Sequence, residues 1–397
     1  MAVIPSMFGK ARESDTLQPF DFHSPTRVVF GAGSVGRLGE LARELGDTRV
    51  LVVTDPGLEE AGHPQRAMAS LRDAGLEVFL FDGVEQNPTD RHVQAGVEFA
   101  RTLDVDLIVS VGGGSAMDCA KGINFVLTNG GQIADYRGFG KAHKPMLPSI
   151  GIPTTAGTGS EAQSYALIAD EQSHMKMACG DRKAAFGVAI LDPEVTVSQP
   201  KKVTAITGID ALSHAMEAYV TSARNQVSQM FAREAWELLH ANLETVLRTP
   251  NDLEARAAMQ LGAFLAGTAI ENSMLGATHA CANPLTAHYG LTHGIAIGIL
   301  LPHVLRFNAA AVGPLYWELS EQAGLANGDG ISPADALAQR ITELLRIADL
   351  PTTLTEAGVS DGILPLLAEE ASQQWTARFN PRPVTETDLL RLYEAAV

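Results

Sequence analysis

The sequence predicts an α/β domain followed by an all-α one: an N-terminal, doubly wound Rossmann-like half and a C-terminal helical half. Three observations carry this. The first half alternates short β-branched runs with helical patterns. From about Lys201 onward the patterns are long and helical, and strand-like runs nearly vanish. Between the two, Asp192-Pro193 and Pro200 punctuate the chain. The division falls at residues 1–195 and 196–397, and a ligand site in the cleft between the halves is the default expectation.

The elements follow in order. Residues 27–30 (RVVF) read as a strand and 33–46 as a helix. Residues 49–54 (RVLVVT) form a continuous apolar run of the kind buried in a parallel sheet. A helix at 63–74, a strand at 77–81 and a helix at 89–102 come next. Residues 106–111 (DLIVSV) are a second buried strand, leading into Gly112-Gly113-Gly114-Ser115 and a helix from about Ala116. The second half predicts helices at 203–222, 227–248, 253–270, 333–346, 363–373 and 386–396. The fourth opens with Ser332-Pro333, an N-cap followed by proline at the first helical position.

At 397 residues the chain is long enough for two cores. A net charge of −17 argues against nucleic acid and against an anionic membrane surface as partners. Cys119, Cys179 and Cys281 are scattered and odd in number, which fits a reducing cytoplasm better than a disulfide framework. Residues 1–21 lack the apolar core of a signal peptide. The most apolar window, 295–301, is too short to span a bilayer.

Two glycine-rich elements compete for a phosphate. Gly31-Ala32-Gly33-Ser34-Val35-Gly36 matches G-x-G-x-x-G, and Asp55 lies nineteen residues beyond Gly36, at a strand end, where a ribose-binding acid is expected. The Gly112–Ser115 turn also brings bare backbone and a helix N-terminus to one place. A third loop, residues 153–161 (PTTAGTGSE), carries hydroxyls and glycines. Any one of these is by itself a tight turn; three with one acid at a strand end favour a dinucleotide.

Further on, Asp210 and His214 are four apart in a helical segment and therefore share a face. His279 and His293 lie in a second stretch rich in His and small residues. One carboxylate and three imidazoles suit a divalent transition metal such as Fe(II) or Zn(II). Read alone, Thr207-Gly208-Ile209-Asp210 is also a capping box. Cys281 reads as a packing residue and Trp236 as core.

Taken together, the chain resembles the iron-containing (group III) alcohol dehydrogenases from residue 25 to about 308. VTD (53–55), NPT (87–89), GGGSAMDCAK (112–121), PTTAGTGSE (153–161), DALSHAMEAYV (210–220) and THGIAIGILLPHVLRFN (292–308) carry the likeness. The resemblance implies a dehydroquinate synthase-like architecture. It gives the pyrophosphate to Gly113, Gly114 and Ser115, which makes the glycines at Gly31 a decoy. Asp55 keeps the ribose and, by repelling a 2′-phosphate, selects NAD over NADP. Asn87, Asp118, Thr154, Thr155, Thr158 and Lys176 are implied as further cofactor contacts, and Asp210, His214, His279 and His293 as the metal ligands.

The implied activity is a metal-dependent, NAD(H)-linked alcohol dehydrogenase or aldehyde reductase acting on a primary or small alcohol. A 3-dehydroquinate synthase-like or glycerol dehydrogenase-like metal enzyme is the alternative within the same architecture, and a metal-free regulatory relative the alternative outside it. A cytoplasmic homo-oligomer, a dimer or higher, is expected. One departure stands out. Many members carry H-x-x-x-H-P after the third ligand, whereas here Asn283 holds the second position of His279-Ala280-Cys281-Ala282-Asn283-Pro284. His288, or else the cofactor ribose and water, is the expected substitute in proton transfer. The substrate pocket is expected to draw on residues 271–275, and the substrate itself is open.

Overall fold

The runs LIVSVG, SIGIP and VAIL are buried at every residue. Strands with no solvent side need cover on both faces, and the fold supplies it. The computed structural model describes residues 19–46, 48–325 and 330–397. Its strands are β1 (Arg27–Phe30), β2 (Arg49–Val53), β3 (Glu77–Phe81), β4 (Leu107–Gly112), β5 (Gly138–Phe139), β6 (Ser149–Pro153), β7 (Tyr165–Ala169), β8 (Lys176–Gly180) and β9 (Val188–Leu191). Six of them form a parallel sheet in the order β1-β9-β6-β4-β2-β3.

The helices of this half are α1 (Leu38–Glu44), α2 (Pro56–Ala61), α3 (His63–Asp73), α4 (Asp90–Arg101) and α5 (Gly114–Asn129). Because strand side chains alternate, Val50 and Val52 of β2 face a core with Leu38, Leu41 and Leu71 of α1 and α3. Leu51 and Val53 face the opposite core, with Val93, Val97 and Ile123 of α4 and α5. The chain leaves β2 for β3 at the edge and returns to β4 on the other side of β2. The order therefore reverses between β2 and β4, and the crevice beyond their carboxyl ends is the natural ligand site of such a sheet.

Several details depart from the sequence reading. The span 33–46 is a short 3-10 turn, Ser34–Arg37, followed by α1. Gly33 has φ of +78°, and its N–H and that of Val35 each donate to the Asp192 carboxylate at 3.1 Å. The G-x-G-x-x-G turn thus already holds an anion, and that anion is part of the protein. The helix expected from Ala116 begins at Gly114. A second, small sheet, β5-β8-β7, was not foreseen; β7 and β8 pair antiparallel, and β7 packs on α5.

The second half contains α6 (Lys201–Val220), α7 (Gln226–Arg248), α8 (Leu253–Glu271), α9 (Ala277–Tyr289), α10 (His293–Gln322), α11 (Pro333–Ile347), α12 (Leu364–Ser372) and α13 (Glu386–Ala395). From Gly208 to Val220 every residue of α6 is buried, so α6 is the central helix. Asp210 lies in its middle, not at a cap. On α7, Ala232, Ala235, Trp236, Leu239, Leu243 and Val246 repeat at helical spacing and form its buried face. The Trp236 indole donates to the Leu319 carbonyl at 3.0 Å.

The apolar window at 295–301 belongs to the 30-residue α10, broken at Val312, which is long and apolar enough to cross a membrane. It is instead packed against α6 and α11, and 67% of its most apolar 18-residue window is buried. The two halves meet through Gln260 Nε2 donating to the Pro153 carbonyl at 2.9 Å and Gln199 Nε2 donating to the Thr154 carbonyl at 2.6 Å. A large cavity opens where they face each other.

Candidate metal and nucleotide site

The cavity, about 760 Å³, runs from the carboxyl ends of the sheet to the face of α6. Asp55, directly after β2, lines one end; it is half-buried, and burial pushes its carboxyl up. Beside it, β4 runs into Gly113 and α5, so the free N–H groups of the α5 N-terminus face the space. A Cβ at Gly114 would stand 2.7 Å from the Thr158 side chain, which is why this turn and the 153–161 loop can lie against each other only with glycine here. Ser115, Asp118, Asn87, Thr154, Thr155, Thr158 and Lys176 line the same cavity.

Lys121, given no role by sequence, is buried and does the joining. Its ammonium donates to the carbonyls of Ser160 (2.7 Å) and Tyr165 (2.8 Å) and to Ser160 Oγ (2.9 Å). Ser160 Oγ in turn donates to Asp118 at 2.6 Å. The Asp118–Lys121 spacing of three was the available signal.

At the other end of the cavity, Asp210 and His214 rise from one face of α6, His279 from the first turn of α9, and His293 from the first residue of α10. The Nε2 atoms of His214, His279 and His293 lie 3.5, 3.6 and 3.8 Å from Asp210 Oδ1. The donor atoms of Asp210, His279 and His293 are all within 4.8 Å of one another, and the His214 ring stacks on that of His279 at 4.9 Å. Asp210 Oδ1 and His279 Nε2 are buried without a hydrogen-bond partner. Two donors each about 2.1 Å from one ion, at a tetrahedral angle, are separated by about 3.4 Å. The donor set, its spacing and its unpartnered atoms therefore fit a divalent transition metal.

For three of the four residues the electrostatics favour the metal-binding form even without an ion. Burial pushes the Asp210 carboxyl up, but the three imidazoles outweigh it and hold the group ionised, well below the usual carboxylate range. Burial lowers His214, and burial together with the Lys176 ammonium lowers His293, so both favour the neutral form that binds metals. Burial also disfavours charge on His279, but Asp210 and Glu217 raise it to about 9.

Glu217 is the residue that sequence reasoning missed. It stands seven after Asp210, on the same face of α6. One of its oxygens is 2.6 Å from His279 Nδ1, and the other accepts the Thr278 N–H at 2.8 Å. It fixes the His279 ring, as outer carboxylates do in metal sites, and ties down the start of α9.

The expected relay residues lie elsewhere. His288 Nε2 is bound to the Glu370 carboxylate at 2.9 Å, and Asn283 Nδ2 donates to Gln374 at 3.0 Å. His288 is directed toward α12 and Asn283 toward the segment just after it, and neither lines the cavity. Position 288 is nine past His279 on a helix, two and a half turns away, so proximity in sequence did not become proximity to the ligands. Burial pushes the Cys281 thiol up to about 12, consistent with a packing role.

The model of the family described as iron-containing alcohol dehydrogenase matches residues 25–193, and that of the family's C-terminal part matches residues 204–397. The chain belongs to the iron-containing alcohol dehydrogenase family. It is 37% identical to the NAD-dependent methanol dehydrogenase of Bacillus methanolicus, over 95% of this chain and 100% of that protein. It is 35% identical to the 1,3-propanediol dehydrogenase of Citrobacter freundii, over 95% of this chain and 98% of that one. The crystal structure of a 1,3-propanediol oxidoreductase superposes with a TM-score of 0.92 at 35% identity, covering 96% of this chain and 100% of that chain. As a member of this iron-containing family, the chain is an NAD-linked, metal-dependent alcohol dehydrogenase or aldehyde reductase.

Proposed function

We propose that this enzyme oxidises a primary or small alcohol with NAD+, and reduces the corresponding aldehyde with NADH, at the end of the cavity bounded by His279 and His293. The observation that carries the reading is the convergence of three imidazoles on Asp210 Oδ1 in the same cavity that the Gly113–Ser115 turn enters. When bound, the nicotinamide supplies the hydride acceptor and the iron the Lewis acidity that favours alkoxide.

Asp210, His214, His279 and His293 hold the metal, and Glu217 orients His279. Gly113, Gly114 and Ser115 present N–H groups to the pyrophosphate at the α5 N-terminus. Asp55 accepts from ribose hydroxyls, with Asn87, Asp118, Thr154, Thr155, Thr158 and Lys176 around the remainder. With His288 tied to Glu370, the alcohol's proton leaves through water in the cavity. The α/β half (1–195) carries the nucleotide and the helical half (196–397) the metal.

A cytoplasmic homodimer belongs to this reading. It is supported by the outer edge of β1, which pairs with no other strand among the described residues and where Val28 and Phe30 are 37% and 47% exposed, and by three buried free cysteines. The relatives named for methanol and 1,3-propanediol support a primary alcohol as substrate.

NADH formation from an alcohol series, together with elemental analysis, tests the proposal. His293→Ala is expected to lose both metal and turnover while keeping its circular dichroism spectrum. A metal-replete His293→Ala enzyme with the wild-type rate would refute the ligand assignment.

A further inference from the structure

A second cavity, about 240 Å³, lies beside the first, and the two share a wall of Gln163, Tyr165, Leu167, Ile270 and Leu275. Tyr165 and Leu167 come from β7 and Ile270 from the last turn of α8, so both halves of the protein frame this neck. Apart from Gln163 and the tyrosine hydroxyl, it is apolar.

Beyond the neck, the charged and polar groups are already matched. Arg182 is paired with Asp21 at 3.0 Å. The Glu271 carboxylate accepts both the N–H and the hydroxyl of Ser164. Asn272 accepts the His23 N–H at 3.2 Å and donates to the Thr268 carbonyl at 3.0 Å. Among the described lining residues the one arginine is already engaged, so a ligand carboxylate, sulfonate or phosphate would have to compete with Asp21 for Arg182, an exposed pair worth at most about 1 kcal/mol.

Aromatic surface is what remains. The Tyr165 ring stacks on the half-buried Trp375 ring at 5.8 Å and lies against Phe139 at 5.7 Å. Phe139 is 52% exposed. Offset rings at such separations are how aromatic groups recognise one another. An engineered cavity of about 150 Å³ lined by Leu, Ile and Phe is known to take up benzene, so this volume suffices for a phenyl ring.

We propose that the second cavity receives the tail of the substrate, and that the substrate class is a neutral primary alcohol or aldehyde with an aryl-alkyl tail. The inference rests on the proposed function, which puts the reacting oxygen at His279 and His293. Tyr165 and Trp375 are then the residues that set specificity, and a diol or a hydroxy acid gains less than an aryl-alkyl tail because its distal polar group would meet ring faces.

The test uses the iron-loaded enzyme with NAD+ and compares kcat/KM for ethanol, hexanol, phenylpropanol, propanediol and hydroxybutyrate. Phenylpropanol should exceed ethanol by at least about tenfold, chiefly through KM, and hydroxybutyrate should fall below hexanol. Trp375→Ala and Tyr165→Ala should each lower the phenylpropanol-to-ethanol ratio by roughly tenfold. Binding supplies a readout without turnover: phenylpropanol should perturb tryptophan fluorescence in the wild type, and Trp375→Phe should abolish the perturbation. Ethanol turnover with a flat ratio, or a preference for propanediol or hydroxybutyrate, overturns the inference and leaves the proposed function standing. No NADH from any alcohol at full metal loading overturns the proposed function and this inference with it.

Discussion

His279 Nδ1 lies 2.6 Å from the Glu217 carboxylate, while His279 Nε2 faces Asp210 Oδ1 at 3.6 Å with no hydrogen-bond partner. One nitrogen of the ring is thus held by the protein and the other is presented to the metal position. The carboxylate sets the tautomer and strengthens the donor. Glu217→Gln keeps the shape and removes the charge, so metal affinity should fall by about 10–100-fold. Competition with a chelator measures it. Unaltered affinity would mean that Glu217 serves only the N-terminus of α9.

Cofactor choice turns on Asp55 at the end of β2. Its half-buried carboxylate lines the cavity beside the switch point of the sheet. Asp55→Gly should raise kcat/KM for NADPH relative to NADH by at least about tenfold, the equivalent of roughly 1.4 kcal/mol of relieved repulsion. An unchanged ratio shows that the acid does not meet the ribose.

His288 is anchored to Glu370 and lies off the cavity wall. His288→Ala should therefore keep kcat within about threefold of wild type across the pH range. Asn283→His should add no new step to log kcat/KM near about pH 6.5, where an unperturbed imidazole titrates. A large loss of kcat in His288→Ala would restore the relay.

What was legible in the sequence follows a physical division. The buried strands RVLVV and LIVSVG and the Asp210–His214 pair are local patterns, and local patterns survive without coordinates. β6 and β9 were not read, because SIGIP and VAIL are short, without alternation, and set among glycines and prolines. The two glycine turns could not be told apart by glycine spacing alone, since what distinguishes the Gly31–Gly36 turn is Asp192, more than 150 residues downstream of Gly33. The length of α10 was hidden for a related reason. The helix runs through Pro302 but is broken at Val312, two residues before Pro314, so no single uninterrupted pattern marks its span. Glu217 was visible as the third member of an i, i+4, i+7 face, but nothing local marks it as a partner of His279.

Glu161 provides a pH-dependent test of the joint between the halves. Its side chain is 2% exposed, in the turn that Lys121 fastens to α5. Burial pushes its carboxyl from 4.5 up to about 7; the Lys121 ammonium opposes this and the Asp118 carboxylate adds to it. A carboxyl whose folded value is raised binds more protons folded than unfolded between those two values, so stability falls as pH rises through that window. The penalty is absent below about 4.5 and complete above about 7, and a shift of this size corresponds to an amount on the order of 3 kcal/mol. Glu161→Gln removes the ionisation and nearly keeps the shape. The thermal midpoint of the variant relative to wild type should therefore be several degrees higher at about pH 8 than at about pH 5, measured by differential scanning calorimetry. Equal differences at the two pH values would mean that Glu161 is ionised in the folded protein throughout, with the Lys121 ammonium as its counter-ion.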